Sequence, residues 1–181
     1  GINNMMNFYL AQAVGVLTTV CSVTSMQFKK MRNILIGEII ANLLVSLNYV
    51  LLGGISGAGV CLLATVQTIW IYLLGKRGKN FPLPVNICFM AGYAVVSALS
   101  FNGLPSVLSC VAALLYAMSV TREESKYCRV YMLFNSLIWI VYDVYTHAYT
   151  TILTHGLLVA SILLAMIRID KASGKQEYPS K

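Results

Sequence analysis

The chain has 181 residues, of which 58% are hydrophobic and 10% are charged, and its mean hydropathy is +0.74. A soluble globular domain carries roughly 25% charged residues, so this composition leaves too little polar surface to cover a water-soluble fold. The net charge of +7 comes from short clusters of Lys and Arg between apolar runs, a pattern typical of a membrane protein and not of a nucleic-acid-binding protein.

Seven apolar stretches follow one another along the chain, at residues 8–26, 33–52, 57–74, 85–101, 104–120, 130–145 and 149–167. Each is near the roughly 17 to 25 residues that a membrane-spanning helix needs. Because a backbone in lipid must satisfy its own hydrogen bonds, we predict a helix for every stretch. Turn-forming residues separate them: Gly53 and Gly54 follow the second stretch, Pro82 precedes the fourth and Gly103 precedes the fifth.

The basic residues predict how these spans are oriented. All 13 Lys and Arg residues lie after the first, third, fifth or seventh span, and the other three loops contain none. Cytoplasmic loops are enriched in Lys and Arg, so we expect the N-terminus outside and the C-terminus in the cytoplasm. The first stretch has no basic residue before it and is expected to stay as a span, not to be cleaved as a signal peptide. The polar residues 170–181 are expected to form a cytoplasmic tail.

The order of the loops suggests an internal duplication. Residues 47–70 and 138–161, displaced by 91 positions, both show an aromatic-rich span end, a short turn and a new span. We therefore expect one membrane domain over 1–181, with repeat one at about 8–74, a linking helix at about 85–101 and repeat two at about 104–167. The linking helix lets two three-helix repeats enter the membrane in the same direction, a 3+1+3 plan that encloses a central path in known transporters.

Four segments together resemble the YgjV-type bacterial inner-membrane proteins: AQAVGV (Ala11–Val16), QFKKMRN (Gln27–Asn33), VLLGG (Val50–Gly54) and ILTHGLLVASILLAMIR (Ile152–Arg168). The resemblance covers nearly the whole chain and implies a multi-pass protein of the bacterial inner membrane. That family is placed near the SWEET and PQ-loop proteins, which share the 3+1+3 plan and include sugar facilitators. The chain departs from them in having no Pro-Gln pair at the end of the first span and no proline inside spans one, two, six and seven.

Polar side chains inside the spans are the candidate substrate-binding groups. Asn42 and Asn135 are 93 positions apart at similar depths in the second and sixth spans, so the repeat would make them face each other. Amides at this depth either join neighbouring helices or hydrogen-bond a central solute, and both interpretations stay open. Gln67 and Thr65 in the third span are candidates of the same kind. Trp139 is a candidate for stacking on the apolar face of a sugar.

Ionisable residues in the spans are the candidates for proton coupling. Such a group costs about 2.5 to 3.5 kcal/mol to insert, so it needs a partner, a water path or an interface. Glu38 is expected either to have a structural role, as the ion-pair partner of the basic loop after the first span or as a stabiliser of the helix N-terminus, or to serve a proton pathway. His155 is expected either to be neutral and bonded to a neighbouring helix or to bind protons or substrate. Asp143, at the outer end of the sixth span, is expected to be solvated.

The sequence contains no recognisable catalytic or metal-binding constellation. His147 and His155 have no HExxH companion, there is no P-loop or GxSxG, and the five cysteines form no CxxC pair. We therefore expect no enzyme activity, no cofactor and no metal. The expected function is that of a transporter or facilitator of a small polar solute, sugar-like or vitamin-like; the alternative is a non-transporting membrane assembly or accessory protein. The expected partners are the lipid bilayer, the solute and, as an open alternative, further copies of the chain in a homo-oligomer.

Overall fold

The computed structural model describes residues 2–51, 55–99, 103–145 and 149–171, and all regular structure in these ranges is helical. The helices are α1 (Ile2–Ser25), α2 (Met31–Leu51), α3 (Ile55–Lys76), α4 (Leu83–Leu99), α5 (Leu104–Val120), α6 (Ser125–Tyr145) and α7 (Tyr149–Ala165), and a π-helical turn (Met166–Asp170) continues α7. The prediction of an all-α chain of seven helices is confirmed. Gly53, Gly54, His147 and the tail beyond residue 171 lie outside the described residues.

The surface of the bundle is suited to lipid. Two segments are long and apolar enough to cross a membrane by themselves, Ala58–Lys76 and Thr151–Asp170, and α4 and α5 are shorter apolar helices. Leu99 and Ile167 are 84% and 66% exposed, whereas Gln67 is fully buried. In soluble proteins, most Leu and Ile residues are buried and most Gln residues are exposed. The distribution fits an all-α membrane protein.

Two groups of three helices make up most of the bundle. In the first, α2 packs between α1 and α3; in the second, α6 packs between α5 and α7, and α4 packs mainly on α5. The groups meet where α1 contacts α7, α2 contacts α6 and α3 contacts α5. The middle helices, α2 and α6, are therefore at the centre of the bundle.

Boundaries of α2 and α3 recur 94 positions later along the chain. Helices α2 and α6 both have 21 residues, and they begin at Met31 and Ser125, which are 94 positions apart. Helix α3 has 22 residues and begins 94 positions before α7, and Lys76 lies 94 positions before Asp170, the end of the π-helical turn. These boundaries are separated by 94 positions, whereas the sequence comparison used 91; at a separation of 94, Asn135 is matched with Ala41 and not with Asn42.

A hydrogen bond recurs at the same interval. The hydroxyl of Ser25, near the end of α1, donates to the carbonyl of Ser22 at 2.8 Å, and the hydroxyl of Ser119, near the end of α5, donates to the carbonyl of Tyr116 at 2.7 Å. Both serines are fully buried and they are 94 positions apart. Each hydroxyl bonds back to its own helix, which is how Ser satisfies itself inside a packed bundle.

A buried arginine ties one end of the bundle together. Arg129, on α6, has no exposed surface. Its guanidinium donates to the carbonyls of Met26, at 2.9 Å, and Phe28, and it pairs with the carboxylate of Asp170. Ser125, one turn earlier on α6, donates to the carbonyl of Lys29 at 2.9 Å. The α1–α2 loop is therefore fastened to α6 and to the turn after α7.

Candidate functional site

A cavity of about 170 Å³ lies inside the bundle, and residues from all seven helices line it. One water needs roughly 10 to 15 Å³ of such space, so the cavity has room for several waters or a small solute. Its wall is mostly apolar, with polar and aromatic groups from four helices: Glu38, Asn42, Tyr93, Tyr116, Asn135 and Trp139. A few polar groups in an apolar wall are typical of small-molecule sites.

Glu38 is the acidic group of the cavity. Its residue surface is 6% exposed, and its Oε1 accepts a hydrogen bond from Ser25 Oγ at 2.9 Å. The predicted pairing with the basic loop is not what the structure shows, since Lys29 and Lys30 are exposed and Arg32 bonds the Tyr72 hydroxyl at 3.3 Å. The carboxylate instead lies on the inward face of α2.

The Ser25 hydroxyl can hydrogen-bond Glu38 whether the carboxyl group is ionised or protonated. It has one proton and two acceptors in reach, Glu38 Oε1 at 2.9 Å and the Ser22 carbonyl at 2.8 Å. When Glu38 is ionised, Ser25 donates to it. When Glu38 is protonated, its own hydroxyl can donate to Ser25, which then donates to Ser22. The contact is satisfied in both states.

Asn42 begins a chain of hydrogen bonds that joins three helices. Its Nδ2 donates to the Glu38 carbonyl at 2.8 Å and to Tyr116 Oη at 2.7 Å. Tyr116 Oη is 2.9 Å from Thr68 Oγ1, which donates to the Ala64 carbonyl at 2.7 Å. Because the Thr68 proton is used there, Tyr116 donates to Thr68. Both amide protons of Asn42 are thereby occupied, and its Oδ1 has no protein partner among the described residues.

Asn135 and Trp139 form the opposite wall, one turn apart on α6. Asn135 Nδ2 donates to the Ala112 carbonyl of α5 at 2.6 Å, which leaves Oδ1 without a protein partner in the described ranges. Neither this atom nor Asn42 Oδ1 is buried and unsatisfied, since Asp170 Oδ2 is the atom in that state among the described side chains. The two amide oxygens are therefore accessible acceptors.

His155 stacks on Trp139 and is itself held by Asp143. The Trp139 ring stacks on the His155 ring with centroids 5.9 Å apart and planes 5° apart. His155 Nδ1 lies 2.7 Å from Asp143 Oδ2. Asp143 is only 3% exposed, so the prediction that it is solvated is wrong: the α6–α7 hairpin brings His155 against it. His155 does not line the cavity, and it contacts the site through Trp139.

Gln67 and Thr65 lie outside the cavity wall. Gln67 is fully buried; its Nε2 donates to Asn86 Oδ1 and its Oε1 accepts from the Tyr93 hydroxyl, both at 2.9 Å. Thr65 donates to the Cys61 carbonyl of its own helix at 2.8 Å. Gln67 thus joins α3 to α4 and positions Tyr93, which does line the cavity.

The 94-position interval also relates residues of the cavity wall. Five pairs of lining residues have this separation: Ser22 and Tyr116, Glu38 and Met132, Ala41 and Asn135, Val45 and Trp139, Ala64 and Leu158. In four of these pairs a polar or aromatic group that could contact a solute has a small or aliphatic counterpart. The positions of these lining residues therefore recur after 94 residues, but their side chains differ in chemistry. Among these pairs, the acid lies on α2, whereas a tyrosine, an amide and an indole lie on α5 and α6.

Sequence reasoning missed Tyr93 and Tyr116. Both rings lie within apolar runs and count as hydrophobic in a hydropathy profile. A phenol hydroxyl in the middle of such a run needs a hydrogen-bond partner. This requirement is the feature of the sequence that indicates a polar role for both tyrosines.

A second, outward-facing groove is chemically different. It lies between α1 and α2, and its wall is almost entirely apolar, with exposed side chains such as Val20 and Ile40. It lacks the convergent polar groups of the central cavity.

A model of the Imp-YgjV family, described as "Bacterial inner membrane protein", matches residues 9–173. Comparisons with curated proteins and with solved structures found no match.

Proposed function

The chain belongs to the Imp-YgjV family of bacterial inner membrane proteins, and from that premise we propose that it is a carrier or facilitator that moves a small polar solute through the central cavity. The observation that carries the proposal is the cavity itself, which all seven helices line and into which Glu38, Asn42, Asn135 and Trp139 project. A site at the meeting point of all helices changes shape when either helix group moves. A carrier needs such a change of shape to expose its solute first to one side of the membrane and then to the other.

The proposed topology is seven spans with the N-terminus outside and the C-terminus in the cytoplasm, in a multi-pass protein of the inner membrane. The segregation of the Lys and Arg residues supports it. The protein acts in the lipid bilayer, alone or as a homo-oligomer, and carries out no enzymatic reaction.

The proposed arrangement within the membrane is 3+1+3, as in SWEET and PQ-loop proteins. The recurrence at 94 positions supports it, because it relates α2 to α6 and α3 to α7. The contacts between the groups fit the same relation: a two-fold axis between α2 and α6 would exchange the α1–α7 contact with the α3–α5 contact. The chain has no Pro-Gln pair for a hinge, so movement is proposed to occur between packed helix groups.

The rival proposal, that the polar groups only join helices, is weakened by comparison within the molecule. Asn48 donates to the Ala11 carbonyl and lines no part of the cavity, and Gln67 has both ends of its amide engaged by Asn86 and Tyr93. These are interhelical bonds. Asn42 and Asn135 differ because both line the cavity, where an acceptor on each remains accessible.

Water access to the cavity is the first test. In a cysteine-free background, Ala113→Cys places a thiol on the cavity wall, and Ala112→Cys places one at the adjacent, fully buried position outside it. We expect a small membrane-impermeant methanethiosulfonate reagent to modify the first variant and spare the second. Equal protection of both, from both sides of the membrane, would favour the rival.

Flux is the second test. Proteoliposomes containing the folded chain are assayed with radiolabelled sugars, nucleosides, vitamins and amines. We expect uptake of at least one class, reduced at least tenfold in Asn135→Leu. Tyr145→Phe, whose residue is 58% exposed, is the matched surface control. No flux of any solute by folded protein would contradict the proposal.

A further inference from the structure

Among the residues that the structure describes, Glu38 is an acid without a compensating cation. The ion pairs of the described residues lie elsewhere: Lys126 with Glu124, Arg129 with Asp170, and His155 with Asp143. The carboxylate receives one hydrogen bond, from the neutral Ser25 hydroxyl. A buried carboxylate in this condition is strongly disfavoured in its charged form, so it either holds a proton or waits for a positive partner.

The rest of the wall is suited to such a partner. Tyr93, Tyr116 and Trp139 bring aromatic side chains to the cavity that contains Glu38. Aromatic faces attract cations, and the attraction grows when water is excluded. The accessible Oδ1 atoms of Asn42 and Asn135 are hydrogen-bond acceptors, which suit a donor-bearing solute and not an anion.

The asymmetry of the wall gives the solute a direction. Glu38 has aliphatic Met132 as its counterpart 94 positions later, whereas Asn135 and Trp139 have Ala41 and Val45 as theirs. The charge therefore lies at one wall and the indole at the other, while each wall carries one amide, Asn42 on α2 and Asn135 on α6. A solute with a cationic end and a polar or apolar body fits this distribution, whereas a neutral symmetrical solute would leave the acid uncompensated.

We infer that the solute is a small organic monocation, an amine or quaternary ammonium, whose charge is bound by Glu38 while its body lies against Asn135 and Trp139. The inference rests on the proposed function and specifies its substrate class. Cation and proton are alternative occupants of one carboxylate: the cation binds as the Glu38 proton leaves, and the proton returns as the cation departs. Charge is conserved in each exchange, so the carrier exchanges protons for cations.

No other group that faces Glu38 can replace it as the cation's anion at neutral pH. The described titratable groups packed around it are thiols and phenols, which are ordinarily uncharged at neutral pH: Cys61 on α3, Tyr93 on α4, Tyr116 on α5 and Cys128 on α6. The cavity residues of α1, of the turn that follows it and of α7 are not ionisable: Ser22, Met26 and Leu158.

The test uses the fluorescence of Trp139. The chain has two tryptophans, so Trp70→Phe leaves Trp139 as the reporter. The full-length purified variant is titrated with choline chloride, with ethanolamine hydrochloride, with sodium chloride at equal concentration, and with 3,3-dimethylbutan-1-ol, the neutral isostere of choline. We expect a saturable change with choline or ethanolamine and none with sodium chloride or the alcohol.

Glu38→Gln in the same background keeps the shape of the side chain and removes its charge. We expect it to weaken the cation response at least about thirtyfold, because the cation would then enter the cavity unpaired. Glu124→Gln, at an exposed carboxylate, is the matched control and should leave the response unchanged. Cation affinity should fall about tenfold per unit as the pH drops below the pKa of the Glu38 carboxyl, and this dependence should vanish in Glu38→Gln.

The inference is overturned by an equal response to choline and its neutral isostere, by a cation response that Glu38→Gln leaves intact, or by no response to either cation. Failure of the proposed function looks different. Uptake of a neutral solute without cation binding keeps the carrier and removes the inference. Cation binding without flux of any solute keeps the site and removes the carrier.

Discussion

The tight contact between Gly37 of α2 and Ser25 of α1 provides a test of the packing that holds Glu38. A Cβ built on Gly37 would lie 2.4 Å from Ser25 Cβ and 3.3 Å from Ser25 Cα, whereas ordinary van der Waals contact begins at 3.4 Å. Gly37→Ala therefore forces α1 and α2 apart by about 1 Å, and the backbone of Ser25 cannot turn aside as the end of a flexible side chain would. The same displacement moves Ser25 away from Glu38, which follows Gly37 directly.

The expected cost follows from this geometry. Overpacking a well-packed core costs about 1 to 3 kcal/mol. Gly156→Ala is the matched control, since a Cβ there meets nothing within 4 Å. Alanine in an open helical position stabilises a helix by roughly 0.5 to 1 kcal/mol relative to glycine. The two variants should therefore differ by roughly 1.5 to 4 kcal/mol in the free energy of unfolding.

The assay is reversible unfolding of the purified protein in mixed micelles, with increasing dodecyl sulfate, followed by far-ultraviolet circular dichroism. The midpoint for Gly37→Ala should fall and that for Gly156→Ala should stay or rise. If the two midpoints coincide, the close packing of α1 on α2 at Ser25 is refuted.

Three further variants test other parts of the molecule in the same assay and in flux. Asp170→Asn leaves the buried Arg129 without its counter-charge and should cost about 3 to 5 kcal/mol, whereas Lys126→Gln, in an exposed pair, should change stability little; similar midpoints would contradict the buried pairing. Tyr116→Phe removes the hydroxyl between Asn42 and Thr68 and should cost about 1 to 3 kcal/mol, while Tyr145→Phe should be nearly neutral; equal stability would show that the chain of bonds is not formed. His155→Ala removes the ring stacked on Trp139, so solute affinity should fall at every pH measured, and unchanged affinity would show that the indole needs no support.

Hydropathy was sufficient to predict the helices but not their ends. The sixth run was expected at 130–145, yet α6 begins at Ser125. The added turn is polar, and it is helical because Ser125 and Arg129 bond loop carbonyls and an acid contributed by distant segments. The apolar run itself carries no sequence signal for those distant hydrogen-bond and ion-pair partners.

The candidate site was predictable in part. The depth of Asn42, Asn135 and Trp139 marked them as candidates, and the structure places all three on one cavity. Gln67 and Thr65 had the same depth and lie elsewhere, because a helix that is apolar all round has no pattern that says which side faces inward. Asp143 was misjudged from its position at the end of a run, where the hairpin partner His155 could not be read from local sequence.

The contacts of Arg129 can be completed only late in the synthesis of the chain. Arg129 is sealed from solvent in the folded protein, and an arginine is almost never fully buried unless it is paired. Its counter-charge, Asp170, comes after α7, so a ribosome has made all seven helices before the guanidinium can be neutralised. The same guanidinium holds the carbonyls of Met26 and Phe28, so the loop after the first helix is secured by one of the last residues of the bundle to be synthesised. A chain that stops short of that turn lacks the carboxylate that neutralises Arg129.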